Sequence, residues 1–103
     1  MKEYVPKTLN NTTAKQAKAQ VRDIEFWGSG DLFKLLSKAS SQKEKWMKST
    51  KAMEIEGVGC VVQVTTQQGV NVAEALTFVP GVKIEEVMEG DKVISRKLVK
   101  IIM

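Results

Sequence analysis

The clearest pattern in the chain is a strict alternation of apolar and polar positions in its middle third. One apolar face repeats at every second residue, namely Val58, Cys60, Val62 and Val64. This spacing places side chains on one side of an extended backbone, and the valines favour that conformation. The pattern therefore predicts a β-strand that begins after the turn signal Gly57-Val58-Gly59 and ends at Gln67-Gln68-Gly69.

Similar but weaker alternation flanks this strand on both sides. Residues 46–55 read WMKSTKAMEI, and residues 70–79 read VNVAEALTFV, whose apolar face is interrupted by Glu74. Pro80-Gly81 ends the latter segment, and residues 82–87 resume an extended pattern. We therefore predict a meander of short antiparallel strands.

The C-terminal residues 92–103 follow the turn signal Glu89-Gly90-Asp91. Their Val and Ile content favours a last strand, while an amphipathic helix capped by Asp91 is the alternative.

Residues 31–48 fit two structures. At a helical period, Leu32, Leu35, Leu36 and Ala39 share one side, and Asp31 is a suitable N-cap, so we favour a helix over residues 31–40. The serines in this segment weaken a helix, and two strands around a turn at residues 41–45 fit as well.

The N-terminal part divides at about residue 20. Residues 20–27, QVRDIEFW, alternate as a first strand, whereas residues 1–19 have almost no apolar periodicity and predict a flexible arm. Its stretch AKQAKA at residues 14–19 has good helix propensity but is too short to be stable alone. The predicted fold is mainly β: an extended arm and one domain, residues 20–103, forming a small antiparallel β-barrel or β-roll of five to six strands.

Charge is segregated along the chain. Residues 32–51 contain six lysines and one acid, residues 52–91 contain seven acids and one lysine, and residues 92–103 contain four bases and no acid. This arrangement favours a complementary protein surface, including a second copy of the chain, over a uniformly basic coat.

Several kinds of chemistry are disfavoured by composition. The sequence has no histidine, the commonest general base and metal ligand, so we expect a non-enzymatic protein without a cofactor. The acids near residue 89 do not have the spacing of a calcium loop, and we expect no metal site. Cys60 lies on an apolar strand face and is expected to pack as a small buried hydrophobe in a reducing compartment.

No segment is long and apolar enough to cross a bilayer, and the N-terminus lacks the apolar region of a secretory signal. We expect a cytoplasmic protein, or one assembled in a virion, that binds neither membranes nor a small-molecule substrate.

The leading functional hypothesis is a small accessory or structural protein that binds a protein partner or copies of itself. A basic surface, an acidic surface and an anchor in the arm would make these contacts. The residues we assign to them are Lys38, Lys45 and Lys48, then Glu85, Glu86 and Asp91, and finally Tyr4.

The alternative is a small β-barrel that binds single-stranded nucleic acid. Lysines could follow the phosphate backbone while Trp46 stacks on bases. The residues assigned to this surface are Lys34, Lys38, Lys45, Lys48 and Trp46.

Three strings resemble the small accessory proteins of tailed bacteriophages: WMKSTKAMEI (46–55), GCVVQVTTQQ (59–68) and AEALTFVPGV (73–82). The resemblance names no family and assigns no site. It implies roles such as virion assembly or inhibition of a host protein, which is our third hypothesis.

Overall fold

A computed structural model describes residues 13–102, in which one short helix precedes six antiparallel strands. The protein is therefore mainly β, as predicted. The strands form a four-stranded sheet in the order β1-β2-β3-β4 and a separate β5-β6 hairpin, so the fold is not a closed barrel but is compatible with a small β-roll. The elements are α1 (Ala14–Gln20), β1 (Lys34–Ser41), β2 (Trp46–Ile55), β3 (Gly59–Gln68), β4 (Asn71–Pro80), β5 (Val82–Glu89) and β6 (Lys92–Lys100).

The predicted meander is confirmed for β2, β3 and β4, whereas β5 pairs with β6 and not with β4. The chain reverses at the predicted turn signals. Gly57, Gly69, Gly81 and Gly90 all adopt positive φ, which glycine reaches without the steric cost of a Cβ atom. The C-terminal segment is a strand rather than the alternative helix, and it pairs with β5 along its length.

The predicted helix over residues 31–40 is wrong, because residues 34–41 form β1 and pair with β2. A four-residue turn connects the two strands, and the alternative of a hairpin around residues 41–45 is confirmed. A register shift between Leu35 and Ser37 explains the misleading helical pattern. Such a bulge changes the phase of the strand, so Leu35 and Leu36 are both half-buried although they are adjacent.

The predicted strand over residues 20–27 is also wrong. Residues 21–33 have no regular secondary structure, and Ile24 N donates to Val21 O at 3.5 Å in a local turn. The Lys18 ammonium donates to the carbonyl oxygens of Arg22 and Ile24. Alternation alone does not make a strand here, because the segment pairs with neither sheet.

Helix α1 lies at the end of the predicted arm and begins with a capping box. Thr13 Oγ1 accepts from Gln16 N at 3.1 Å, and Gln16 Oε1 accepts from Thr13 N at 3.3 Å. The helix has seven residues, and its Ala14 and Ala17 are buried. The rest of the predicted arm lies outside the described residues.

The β5-β6 hairpin crosses one side of the four-stranded sheet, which we call the hairpin face. The Cys60 thiol on β3 donates to Val82 O, Ile84 N donates to Glu54 Oε1 on β2, and Arg96 Nη1 donates to Leu35 O on β1. These contacts step across three strands, so the hairpin runs across the sheet rather than along it. Ala52 and Cys60 become fully buried beneath it.

The other side of the sheet, which we call the far face, is buried at its centre. Its cross-strand neighbours Ser49 and Thr65 and the nearby Met47 are almost completely covered. Lys51, on the same face, is also buried. Within residues 13–102, few large side chains are fully enclosed, so the core of this part of the chain is thin.

Candidate protein-binding surface

The two edges of the four-stranded sheet differ in their chemistry. On β1, the register shift at Leu35/Ser37 distorts the edge, and Lys34 and Lys38 place charges along it. The hairpin also reaches this edge, where Arg96 Nη1 donates to Leu35 O at 3.1 Å. Bulges, lysines and covering elements are the devices by which proteins keep an edge strand from pairing with other chains.

Strand β4 forms the other edge of the sheet, which we call the β4 edge. Between its two end residues, this strand has none of these devices. Ten consecutive pairs join β4 to β3 with no register shift, and Glu74 is its one charged residue. Proline occurs only at the last position, Pro80. Among the described residues, β4 has no strand on its outer side.

The apolar side chains of β4 lie on the surface. Val72, Leu76 and Phe78 share the far face, and they are 45%, 61% and 45% exposed. The sequence indicates the same apolar face, and the structure leaves it open. The signal that could have revealed the edge is the combination of high apolar content with a single charge.

The one charge on β4 is held away from the free edge. Thr65 Oγ1, on the neighbouring strand β3, donates to Glu74 Oε1 at 3.4 Å. Thr65 is almost fully buried, which fixes the donor in place. The Glu74 carboxylate is thus directed toward the interior strand of the sheet.

The predicted acidic surface is largely paired with the chain's own bases. On the hairpin, Glu86 lies opposite Arg96 with an N–O distance of 2.8 Å, and Glu85 lies opposite Lys97 at 3.6 Å. Acids from one block of the sequence therefore meet bases from the next block. Asp91 occupies the hairpin turn and is exposed. Acidic and basic residues that are separated along the sequence therefore lie opposite each other across the hairpin.

The predicted basic residues do not form one surface. Lys38 pairs in register with Ser49 and lies on the far face, while Lys48 pairs with Ala39 and lies on the hairpin face. Lys34 shares the hairpin face, opposite Ala52, and Lys45 occupies the β1–β2 turn with a φ of +60°. The sheet therefore separates the residues assigned to nucleic-acid binding. Tyr4 lies outside the described residues.

Two of the residues assigned to nucleic-acid binding, Trp46 and Lys48, do lie together. At the turn end of the hairpin face, Trp46 and Lys48 lie two residues apart on β2, beside Gln68 and Thr66 of β3. All four side chains are exposed, and Trp46 retains 42% of its surface. We call these four residues the Trp46 patch. The β5-β6 hairpin contacts the opposite end of this face and leaves the patch open.

Cys60 packs as predicted and is fully buried. Burial raises the pKa of its thiol above the ordinary value, and the nearby Glu54 carboxylate raises this pKa further. Both effects disfavour the thiolate, which is the reactive form of cysteine.

In residues 13–102, no three His, Cys, Asp or Glu side chains cluster in a way that could hold a metal ion. The helix in this part of the chain is too short to cross a membrane.

Comparison with known proteins gives one match. Neither a curated protein nor a solved structure matches the chain. The sequence profile of the Lockin family matches residues 2–99, which is nearly the whole chain. The chain therefore belongs to the Lockin family.

Proposed function

We propose that this protein is a non-enzymatic assembly or accessory protein that acts through protein–protein contacts, including contacts with copies of itself. The observation that carries this proposal is the β4 edge, a ten-residue strand with an exposed apolar face and one charge. Long, regular, apolar edges pair readily with strands of other chains.

The energetics support association at this strand. Full burial of a Val, Leu or Phe side chain contributes about 1.5–3 kcal/mol, and Val72, Leu76 and Phe78 each leave roughly half of that surface exposed. A pairing strand would also satisfy the outward backbone groups of β4. A contact here stabilises through apolar area and backbone hydrogen bonds together.

Charge has a smaller part in this proposal than the sequence pattern indicates. Glu85 and Glu86 face cross-strand cations within the hairpin, so they offer little net charge to a partner. We therefore expect association to persist at high ionic strength, where contacts between exposed charges are screened.

Sedimentation velocity over a wide range of protein concentration, at low and at high salt, tests this function. We expect the average mass to rise with concentration under both conditions. A monomer throughout both series would overturn the proposed self-association. A complex that dissociates in salt would overturn the apolar contact and favour contacts between exposed charges instead.

A second candidate function rests on the Trp46 patch. An exposed tryptophan beside a lysine on an open strand face is suited to stacking on an unpaired base next to a phosphate. Titration with an oligothymidylate at low salt should quench tryptophan fluorescence in the wild type and in Trp27→Phe, but not in Trp46→Phe. Quenching that is unchanged by Trp46→Phe would remove this candidate, since Trp27 is also exposed.

A further inference from the structure

We infer that two copies of this chain pair through β4 in an antiparallel arrangement, related by a two-fold axis at Ala75. This inference rests on the proposed assembly function and specifies its contact. The product is one continuous sheet of eight strands, four from each copy.

Backbone geometry limits the registers that such a pairing can adopt. In β4, alternate residues direct their N–H and C=O groups toward β3, and the intervening residues direct theirs outward. Outward groups of one copy must meet outward groups of the other. The two paired residue numbers therefore have the same parity, and the axis passes through a residue position rather than between two.

Side-chain chemistry then selects among these registers. An axis at Glu74 would place the two carboxylates directly opposite each other, which is destabilising. An axis at Leu76 would bring Pro80 into the ladder, where it has no N–H to donate. An axis at Ala75 avoids both problems and uses residues 71–79 of each strand.

The register at Ala75 also joins the exposed apolar side chains. It places Val72 opposite Phe78 on the far face, and it does so twice because of the two-fold symmetry. Leu76 of each copy lies between these pairs, diagonal to its counterpart. Aromatic and β-branched residues form favourable cross-strand pairs, so six exposed apolar side chains become one cluster.

The charge on β4 does not oppose this arrangement. In the register at Ala75, Glu74 lies opposite Leu76 of the other copy. Its carboxylate is hydrogen-bonded to Thr65 in its own sheet, so it need not be buried against that leucine. On the hairpin face, the central positions hold Ala73, Ala75 and Thr77, which are small and allow close approach.

Cysteine cross-linking tests the register. In a Cys60→Ala background, an Ala75→Cys variant places two thiols opposite each other across the axis. Paired residues of antiparallel strands have Cα atoms about 4.5–5.5 Å apart, which a disulfide can span. Mild oxidation should convert most of this variant to a covalent dimer that retains the sedimentation coefficient of the wild-type dimer.

Three controls accompany this variant. Asn71→Cys should not cross-link, because its two copies would lie about 26 Å apart at the rise of a β-strand. Ala39→Cys, at the β1 edge, should also remain uncross-linked. Ala73→Cys mixed with Thr77→Cys should form the heterodimer more readily than either homodimer.

The outcomes separate this inference from the proposed function. If the wild type associates but Ala75→Cys does not cross-link above the level of Ala39→Cys, the β4 register is wrong while self-association stands. Preferential cross-linking between Ala73→Cys and Ala75→Cys would move the axis to Glu74 and overturn the register at Ala75. Absence of any association in the wild type would overturn both.

Discussion

The two edge strands of the four-stranded sheet differ in how far they are protected from pairing with other chains. Among the described residues, β1 and β4 each pair with a strand on one side only, and they contain eight and ten residues. The β1 edge has a bulge, two lysines and a hydrogen bond from Arg96. The β4 edge is regular, apolar and almost uncharged.

This difference indicates that the chain hinders strand pairing at the β1 edge and leaves it possible at the β4 edge. If both edges had been left open, the sheet could extend in two directions and form fibres. One protected edge and one open edge limit strand pairing to a closed dimer or a single partner strand. The comparison makes the β4 edge, rather than the lysine-rich segment, the better candidate for a binding surface.

The largest expected effect comes from a charge on the open edge. Leu76→Glu should weaken self-association by about 100-fold, or about 2.7 kcal/mol, because each dimer loses two apolar contacts and twice places the new carboxylate opposite Glu74 of the other copy. Sedimentation equilibrium measures the change. Ala39→Glu adds the same charge to the protected β1 edge and should leave the dissociation constant unchanged. Equal weakening by both variants would mean that net charge, and not the β4 edge, controls association.

Gly59 on β3 should be required for β4 to pair closely with β3 at this position. A Cβ atom at Gly59 would meet Val79 O and lie 2.9 Å from Pro80 Cα, both of which are backbone atoms of the paired strand. Gly59→Ala should therefore reduce the free energy of unfolding by about 1–3 kcal/mol, the usual range for overpacking. Urea unfolding measures this loss.

Thr66→Ala, at an exposed position of the same strand, is the control for Gly59→Ala and should change stability by less than about 0.5 kcal/mol. If Gly59→Ala were as stable as the wild type, the close approach of β3 and β4 at this point would be wrong.

The protected edge can be tested through Arg96. Its side chain is one-quarter exposed, forms an ion pair with Glu86 and donates to Leu35 O. Arg96→Met should cost about 1 kcal/mol of stability, because it removes a partly buried charge-assisted hydrogen bond and leaves the β1 edge less covered.

The matched comparison is Lys97→Met, which removes a pair that is exposed on both sides and should cost no more than about 0.5 kcal/mol. Both losses can be measured by thermal unfolding. Arg96→Met should also increase association through β1, detected as higher oligomers. If the two variants were equally stable, the contact between Arg96 and β1 would contribute nothing measurable.

The smallest expected effect concerns Cys60 under the hairpin. Its pKa is raised above the ordinary 9.0, so the folded state holds the thiol proton more tightly than the unfolded state. The resulting stabilisation is complete below pH 9.0 and is lost as the pH rises through the folded pKa. Wild-type protein should therefore lose more stability in this alkaline range than Cys60→Ala, as measured by urea unfolding. Parallel pH curves for the two proteins would contradict the buried thiol.

Sequence reasoning located the strands from β2 to β6 because their signals are local. Alternation in residues 59–68 and the turn glycines define strand ends through backbone sterics, which depend on few neighbours. The capping box of Thr13 and Gln16 is also local and could have been read from the sequence. The errors at residues 20–27 and 31–40 arose where pairing and a bulge outweighed the periodicity of single segments.

The sequence by itself determined a mainly β chain, a buried Cys60 and the separation of acidic and basic blocks. Only the tertiary structure decided that Glu85 and Glu86 face their own cations, that Lys38 and Lys48 lie on opposite faces, and that β4 is an open edge. Strand order and hairpin packing are long-range properties, and an apolar strand has the same sequence pattern whether or not another strand covers it. For this reason the sequence indicated the apolar face of β4, and only the structure placed that face on the surface.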